Sequence, residues 1–129
     1  GPSRGLGDVY KRQHVDYICS IASFHHLSTN ERRIKALKEM KRVLKDEGQI
    51  LLSVWSIKQP QKTKRVFTQY GDTMVPWTKP NTNKSEMRYY YIFQISEIKK
   101  LFQETGFIVK SHEWNCGNEI FILTKENNN

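Results

Sequence analysis

A chain of 129 residues has room for one small domain, and its 37% hydrophobic residues, gathered in strand-like runs, exclude a disordered polymer. Lysine and arginine number 21 against 13 acidic residues, a net charge of +8 that favours anionic partners, nucleic acid before a membrane surface, although a solvated lysine-rich exterior accounts for the charge equally well. Cys19 and Cys116 form no CxxC or Cys/His cluster, which argues against a structural zinc site and for a reduced, intracellular protein, and no apolar run approaches the roughly 18 residues of a membrane span.

Residues 1–13 have neither helical nor strand period and are set aside as a non-native or disordered leader, although Gly5-Leu6-Gly7-Asp8 invites comparison with a glycine-rich cofactor loop. No apolar strand precedes that stretch. Val15 to Phe24 then reads as a buried strand and its exit. Tyr17 to Ala22 is nearly all apolar, as in a parallel strand covered on both faces, with Cys19 a small core residue. Ser28-Thr29-Asn30-Glu31 has the form of a capping box, in which the Ser28 oxygen accepts a backbone N–H and Glu31 reaches back. The helix it opens runs to about Lys45, with Ile34, Leu37, Met40 or Lys41, and Leu44 at helical spacing and Gly48 as its stop at positive φ.

Gln49 to Trp55 is a second buried strand, which makes strand, helix and strand a right-handed βαβ unit. Residues 56–87 are polar and basic with little period, a long loop or partly helical insert. Arg88 to Phe93 is a short aromatic segment. Ser96 is placed to cap a helix to Thr105 that turns Ile98, Leu101 and Phe102 to the core and ends at Gly106. Phe107 to Trp114 and Glu119 to Thr124 flank Asn115-Cys116-Gly117-Asn118 and predict an antiparallel hairpin, followed by a frayed tail at 126–129.

This order, a parallel α/β core finishing in an antiparallel hairpin, is how class I methyltransferases end, with the last strand slipped between its two predecessors. Asp16 to Ser28 resembles the fourth-strand motif of that superfamily, and the longer Ser20 to Arg33 stretch, with His25-His26-Leu27, is similar to the tRNA wobble-uridine methyltransferases of fungi and the methyltransferase domain of their animal AlkB-homologue counterpart. Val54-Trp55-Ser56, Asp72-Thr73-Met74-Val75-Pro76-Trp77 and Arg88-Tyr89-Tyr90-Tyr91-Ile92-Phe93 match further family segments in the same order, as does Gly117-Asn118 before the last strand. Two positions depart: Tyr91 stands where the family has histidine, and Glu119 where it has tryptophan. Strands one to three of the fold, with the glycine-rich loop and the acidic ribose ligand, have no counterpart.

The resemblance implies an α/β fold holding strands four to seven of a Rossmann-like methyltransferase over residues 14–125, with the basic insert at about 56–87. It implies S-adenosylmethionine as cofactor, no metal, and methyl esterification of carboxymethyluridine at the tRNA wobble position. His25 and His26 are the catalytic candidates, at the strand-four exit where donor and acceptor meet. Ser20, Ile21 and Ala22 wall the cofactor. Trp55, Trp77, Arg88, Tyr89, Tyr90, Tyr91 and Asn118 are the substrate candidates, Arg88 for the carboxylate and the aromatics for base stacking, against core packing as the plain alternative. Lys58, Lys62, Lys64 and Arg65, with Lys79 and Lys84 in the same insert, suit phosphates. The implied partners are tRNA and a small zinc-binding activator protein, with no membrane, in the cytoplasm or also the nucleus. A small-molecule methyltransferase and a non-catalytic half-domain of RNA-binding character are the alternatives, and with strands one to three missing the chain alone is expected to be inactive.

Overall fold

The computed structural model describes residues 15–127; the leader, with its Gly5-to-Asp8 stretch, and the last two residues of the tail lie outside the described residues. The elements run β1 (Val15–Ile21), a 3-10 turn (Phe24–His26), α1 (Asn30–Val43), β2 (Leu44–Trp55), a second 3-10 turn (Gln61–Thr63), β3 (Gly71–Thr78), β4 (Ser85–Ile92), α2 (Ile95–Glu104), β5 (Phe107–Asn115) and β6 (Asn118–Lys125). Four strands form one sheet in the order β1-β2-β6-β5, while β3 and β4 form a separate two-stranded sheet. β1 and β2 are parallel, and β6 lies antiparallel between β2 and β5. The last strand therefore does slip between its neighbours, as expected.

Alternation along β2 and β6 shows where the core sits. Ile50, Leu52 and Val54 on β2, with Phe121 and Leu123 on β6, are buried against Leu37 of α1 and Ile98, Leu101 and Phe102 of α2. The helices touch each other and pack on this one face, so the sheet and its helices make two layers. Leu51, Ile120 and Ile122 on the other face are only half-buried. That corrects the expectation of β1 as a strand covered on both faces: Tyr17 is 74% and Ile21 62% exposed, and Cys19 between them is exposed instead of core. No described helix covers their side of the sheet.

The ends of α1 differ from the sequence reading. Thr29, not Ser28, is the N-cap, its Oγ1 accepting the Arg32 N–H at 3.2 Å. The β-branched threonine is already extended there (φ −131°, ψ 152°), the backbone an N-cap needs. Helix passes straight into strand at Leu44, so Gly48 is not a helix stop. It is buried within β2, and an added Cβ would stand 2.5 Å from Leu44 Cδ1 and 2.8 Å from the Asp16 carbonyl. Close approach to β1, not positive φ, demands this glycine. The last hairpin turns through Cys116 (φ 50°) and Gly117 (φ 84°), two successive left-handed residues that match the twist of β5 and β6.

The insert is more ordered than a loop. Its second half is β3, paired residue for residue with β4 from Gly71↔Ile92 to Thr78↔Ser85. Thr73, Val75 and Trp77 alternate with Asp72, Met74, Pro76 and Thr78, a period of two that the interrupting proline and polar residues disguise. α2 starts at Ile95, so Ser96 lies inside it and caps nothing.

Candidate active site

β1 and β2 both end on the same edge of the sheet, and the groups with chemical potential collect there. Beyond β1 the backbone turns sharply: Ala22 takes φ 55°, an uncommon conformation for a residue with a Cβ, and its N–H is held 3.3 Å from both the carbonyl and the hydroxyl of Ser53 on β2. Ser20 and Ser23 hydroxyls bond across this bend at 3.0 Å. Ser20, Ile21 and Ala22 thus form an accessible rim at the carboxyl end of β1.

The bend drives His25 inward. Its side chain is fully buried, and its Nδ1 accepts the Trp55 backbone N–H at 3.0 Å. The ring proton therefore sits on Nε2, which is buried without a hydrogen-bond partner among the described residues. Burial lowers the His25 pKa to about 4, helped by the neighbouring His26; the Ala22 backbone opposes this, and Arg65 adds to the lowering. His25 is thus a neutral imidazole at pH 7. His26 is exposed, and its Nδ1 donates to the Tyr89 carbonyl at 2.8 Å, which joins the 3-10 turn to β4.

Around His25 stands an aromatic wall. Trp55 and Tyr90 stack with centroids 3.9 Å apart and planes 9° from parallel. His25 meets Trp55 at 5.2 Å and Tyr90 at 4.9 Å, and His26 meets Tyr90 at 4.4 Å. Phe67 approaches Trp55 at 5.7 Å, and the Arg65 guanidinium lies 4.0 Å from the Trp55 ring centre. His25, His26, Trp55, Tyr90 and Arg65 are therefore brought together, from four segments of the chain.

Strand alternation sorts the remaining candidates. Tyr90 shares a face of the hairpin with Val75, Arg88 and Trp77, where Arg88 covers the Trp77 ring at 3.8 Å. Arg88 is two residues further out than Tyr90, about 7 Å along the strand. Tyr89 and Tyr91 point to the other face. The Tyr89 hydroxyl donates to Asp72 and accepts from Arg33, and the Tyr91 hydroxyl donates to Glu97 at 2.7 Å. Burial, with the Glu97 hydrogen bond and charge, pushes the Tyr91 pKa up to about 12. Asn118 is the backbone partner of Trp55 on β6. Lys58 is pinned by its carbonyl, which accepts Trp114 Nε1–H at 3.0 Å, while Lys62 and Lys64 stand exposed on the surface.

Four residues were not singled out from sequence. Arg33 is buried in α1, gives its Nε–H to the Leu27 carbonyl at 3.1 Å and covers the Tyr91 ring at 3.8 Å. A charged residue one turn before Leu37 in the apolar stripe was the available signal. Asp72 and Glu97 act as the acceptors that hold Tyr89 and Tyr91; Asp72 stood in a quoted motif without a role. Phe67 had no signal in a segment without period. At the other departure from the family, Glu119 is buried and bonds to His112 Nε2 at 3.0 Å, beside the Phe121 ring.

Residues 7–52 match the methyltransferase domain family, beginning ahead of the described residues. A protein of Encephalitozoon cuniculi described as a methyltransferase is 37% identical over 115 residues, 82% of this chain and 52% of that protein. The tRNA (carboxymethyluridine(34)-5-O)-methyltransferase of Schizosaccharomyces pombe is 29% identical, over 95% of this chain and 62% of the relative. The chain thus spans between about half and three fifths of the length of these relatives. The crystal structure of an S-adenosylmethionine-dependent methyltransferase from Clostridium acetobutylicum superposes with a TM-score of 0.65 at 9% identity, covering 89% of this chain and 60% of that one. The chain has a partial class I S-adenosylmethionine-dependent methyltransferase fold, and its sequence resembles that of the tRNA wobble-uridine methyltransferases.

Proposed function

We propose that the protein acts in methyl transfer from S-adenosylmethionine to the carboxylate of a carboxymethyluridine at the tRNA wobble position. The observation that carries this reading is the Trp55–Tyr90 stack, fixed from behind by the buried His25, at the carboxyl ends of two parallel strands. Ligands of open α/β sheets bind at that edge. The accessible rim at Ser20, Ile21 and Ala22 fits one wall of a cofactor site; among the described residues no glycine-rich turn follows a parallel strand, so this chain's described part supplies that wall alone. When bound, S-adenosylmethionine supplies an electrophilic methyl group.

The chain's own residues position the acceptor. A carboxylate is ionised at neutral pH and needs no general base, so rate comes from holding its oxygen in place. His25, neutral and fully buried, holds the Trp55 backbone N–H through Nδ1 and so fixes the aromatic wall from behind, without placing a charge there. The aromatic wall, with Trp55 held between Tyr90 and Arg65, gives the acceptor site a rigid, water-excluding side. Lys62 and Lys64, exposed on the insert, suit backbone phosphates. The small zinc-binding activator implied by the resemblance is a further proposed partner, tested by co-purification, and the tRNA substrate would place the protein in the cytoplasm or nucleus.

The test is methyl transfer from labelled cofactor to tRNA bearing carboxymethyluridine, assayed with a protein that carries every strand of the fold; the 129-residue chain alone should give none. An alkali-labile methyl ester at that nucleotide is expected. Label that enters unmodified tRNA equally, or resists mild alkali, would overturn the reading.

A further inference from the structure

If the acceptor carries a carboxylate, the site needs a cation to receive it, and two arginines compete for the role. Arg88 was the candidate from sequence. Its guanidinium lies against Trp77, one step out along the hairpin, and Glu86 is the cross-strand partner of Trp77 on that same face. Arg65 is placed differently. Tyr90 is stacked on one face of Trp55, so the Arg65 guanidinium, 4.0 Å from the same ring centre, takes the other. Arg65 is half-buried there, with no ion pair or hydrogen bond from its side chain among the described residues. His26 and Arg65 both lower the His25 pKa by their charge. Asp72 and Glu97 are engaged with Tyr89 and Tyr91 on the opposite face of the hairpin.

A guanidinium that is partly desolvated, oriented by an aromatic ring and without a counter-charge is a site for a planar anion. We infer that Arg65 selects the ionised acceptor, taking its carboxylate through paired N–H donors at the mouth of the His25–Trp55–Tyr90 wall. This rests on the acceptor proposed above. Arg88 then contributes general attraction for the nucleic acid and does not tell an acid from its neutral amide. Lysine at position 65 would keep the charge but lose the planar fork and part of the contact with Trp55.

The experiment compares binding of two anticodon stem-loops, one carrying 5-carboxymethyluridine and the other the uncharged 5-carbamoylmethyluridine, by fluorescence anisotropy. The native protein, carrying every strand of the fold, should prefer the acid by about ten- to a hundredfold. Arg65→Gln should bring the ratio close to one, Arg65→Lys should retain part of it, and Arg88→Gln should weaken both RNAs alike. Thermal melts identify any variant that fails to fold, and Arg65→Lys then carries the comparison. A preference that survives Arg65→Gln or disappears with Arg88→Gln would overturn the assignment. A native protein that does not discriminate would overturn it too, yet ester formation on the acid RNA in the same sample would leave the proposed function standing. Discrimination without any methyl transfer would support Arg65 and remove the reaction.

Discussion

The four-stranded sheet and the two-stranded hairpin are held by different forces. In the sheet, Leu52 and Phe121 are completely buried, as is Phe102 of the helix packed on it, and the layers cohere through apolar contact. In the hairpin, β3 has no buried residue, and the anchoring falls to particular bonds at the β4 end: His26 to the Tyr89 carbonyl, Tyr91 to Glu97, Arg33 against Tyr91, Tyr90 against Trp55. Packing of the first kind tolerates exchange of one apolar residue for another of similar size. Anchoring of the second kind depends on named partners. The candidate site lies where the two meet, so its walls come from a rigid layer on one side and a bonded arm on the other.

The largest expected contrast is in stability. Phe121→Ala should cost about 3–5 kcal/mol in guanidinium unfolding. Met87→Ala, on the exposed side of the hairpin, should stay within about 0.5 kcal/mol. Equal losses would break the distinction. Next comes pH. His25 is lowered from 6.5 to about 4 in the folded state, so the unfolded chain takes up its proton first. Stability from this group is fully present above pH 6.5 and declines as pH falls towards 4, by about 3 kcal/mol at about 1.4 kcal/mol per unit. Urea unfolding at pH 7 and pH 4.5, native minus His25→Asn, isolates it. A variant with the same pH slope as the native protein would show that the imidazole is not held neutral.

On the hairpin side, Lys62→Ala with Lys64→Ala should reduce tRNA affinity a few-fold and flatten its dependence on salt by about 0.7 per lost phosphate contact in log–log slope. An unchanged slope would return both lysines to solvent. The smallest effect sharpens the helix boundary: Thr29→Ala should cost about 1 kcal/mol and Ser28→Ala almost nothing, by the same unfolding measurement. The reverse order would restore Ser28 as the cap.

Legibility followed the same division. The parallel β1–β2 pair could be read from its apolar runs, although they overstated the burial of β1, and both long helices and the closing hairpin from helical spacing and turn residues. β3 escaped because its alternation faces solvent on one side and is broken by Pro76. Gly48 was misread because a glycine demanded by close packing looks the same as one demanded by positive φ. His25 and His26 were found as a pair, but their separate roles required knowing that the bend at Ala22 buries one and leaves the other outside. Tyr89, Tyr90 and Tyr91 read as one aromatic cluster, whereas a strand sends neighbours to opposite faces. Arg65 looked like one cation among several, since nothing local to it announces Trp55, ten residues earlier.

The start of the insert is fastened to the far hairpin. Ser56 N–H donates to the Gly117 carbonyl at 2.8 Å, and Gln59 Nε2 reaches the same carbonyl at 2.8 Å. Chain between this clasp and Gly71 is therefore a loop with both ends fixed, and doubling the length of such a loop costs only about 0.6 kcal/mol of closure entropy. Residues added between Phe67 and Gly71 would lengthen the arm's tether while Arg65 and Phe67 stay against Trp55. The same residues added between Gln59 and Lys64 would give Arg65 slack and blur its position. Insertion is thus thermodynamically cheap along the whole loop but functionally cheap only in its second part, so growth of this segment is expected to be confined to the side after Phe67.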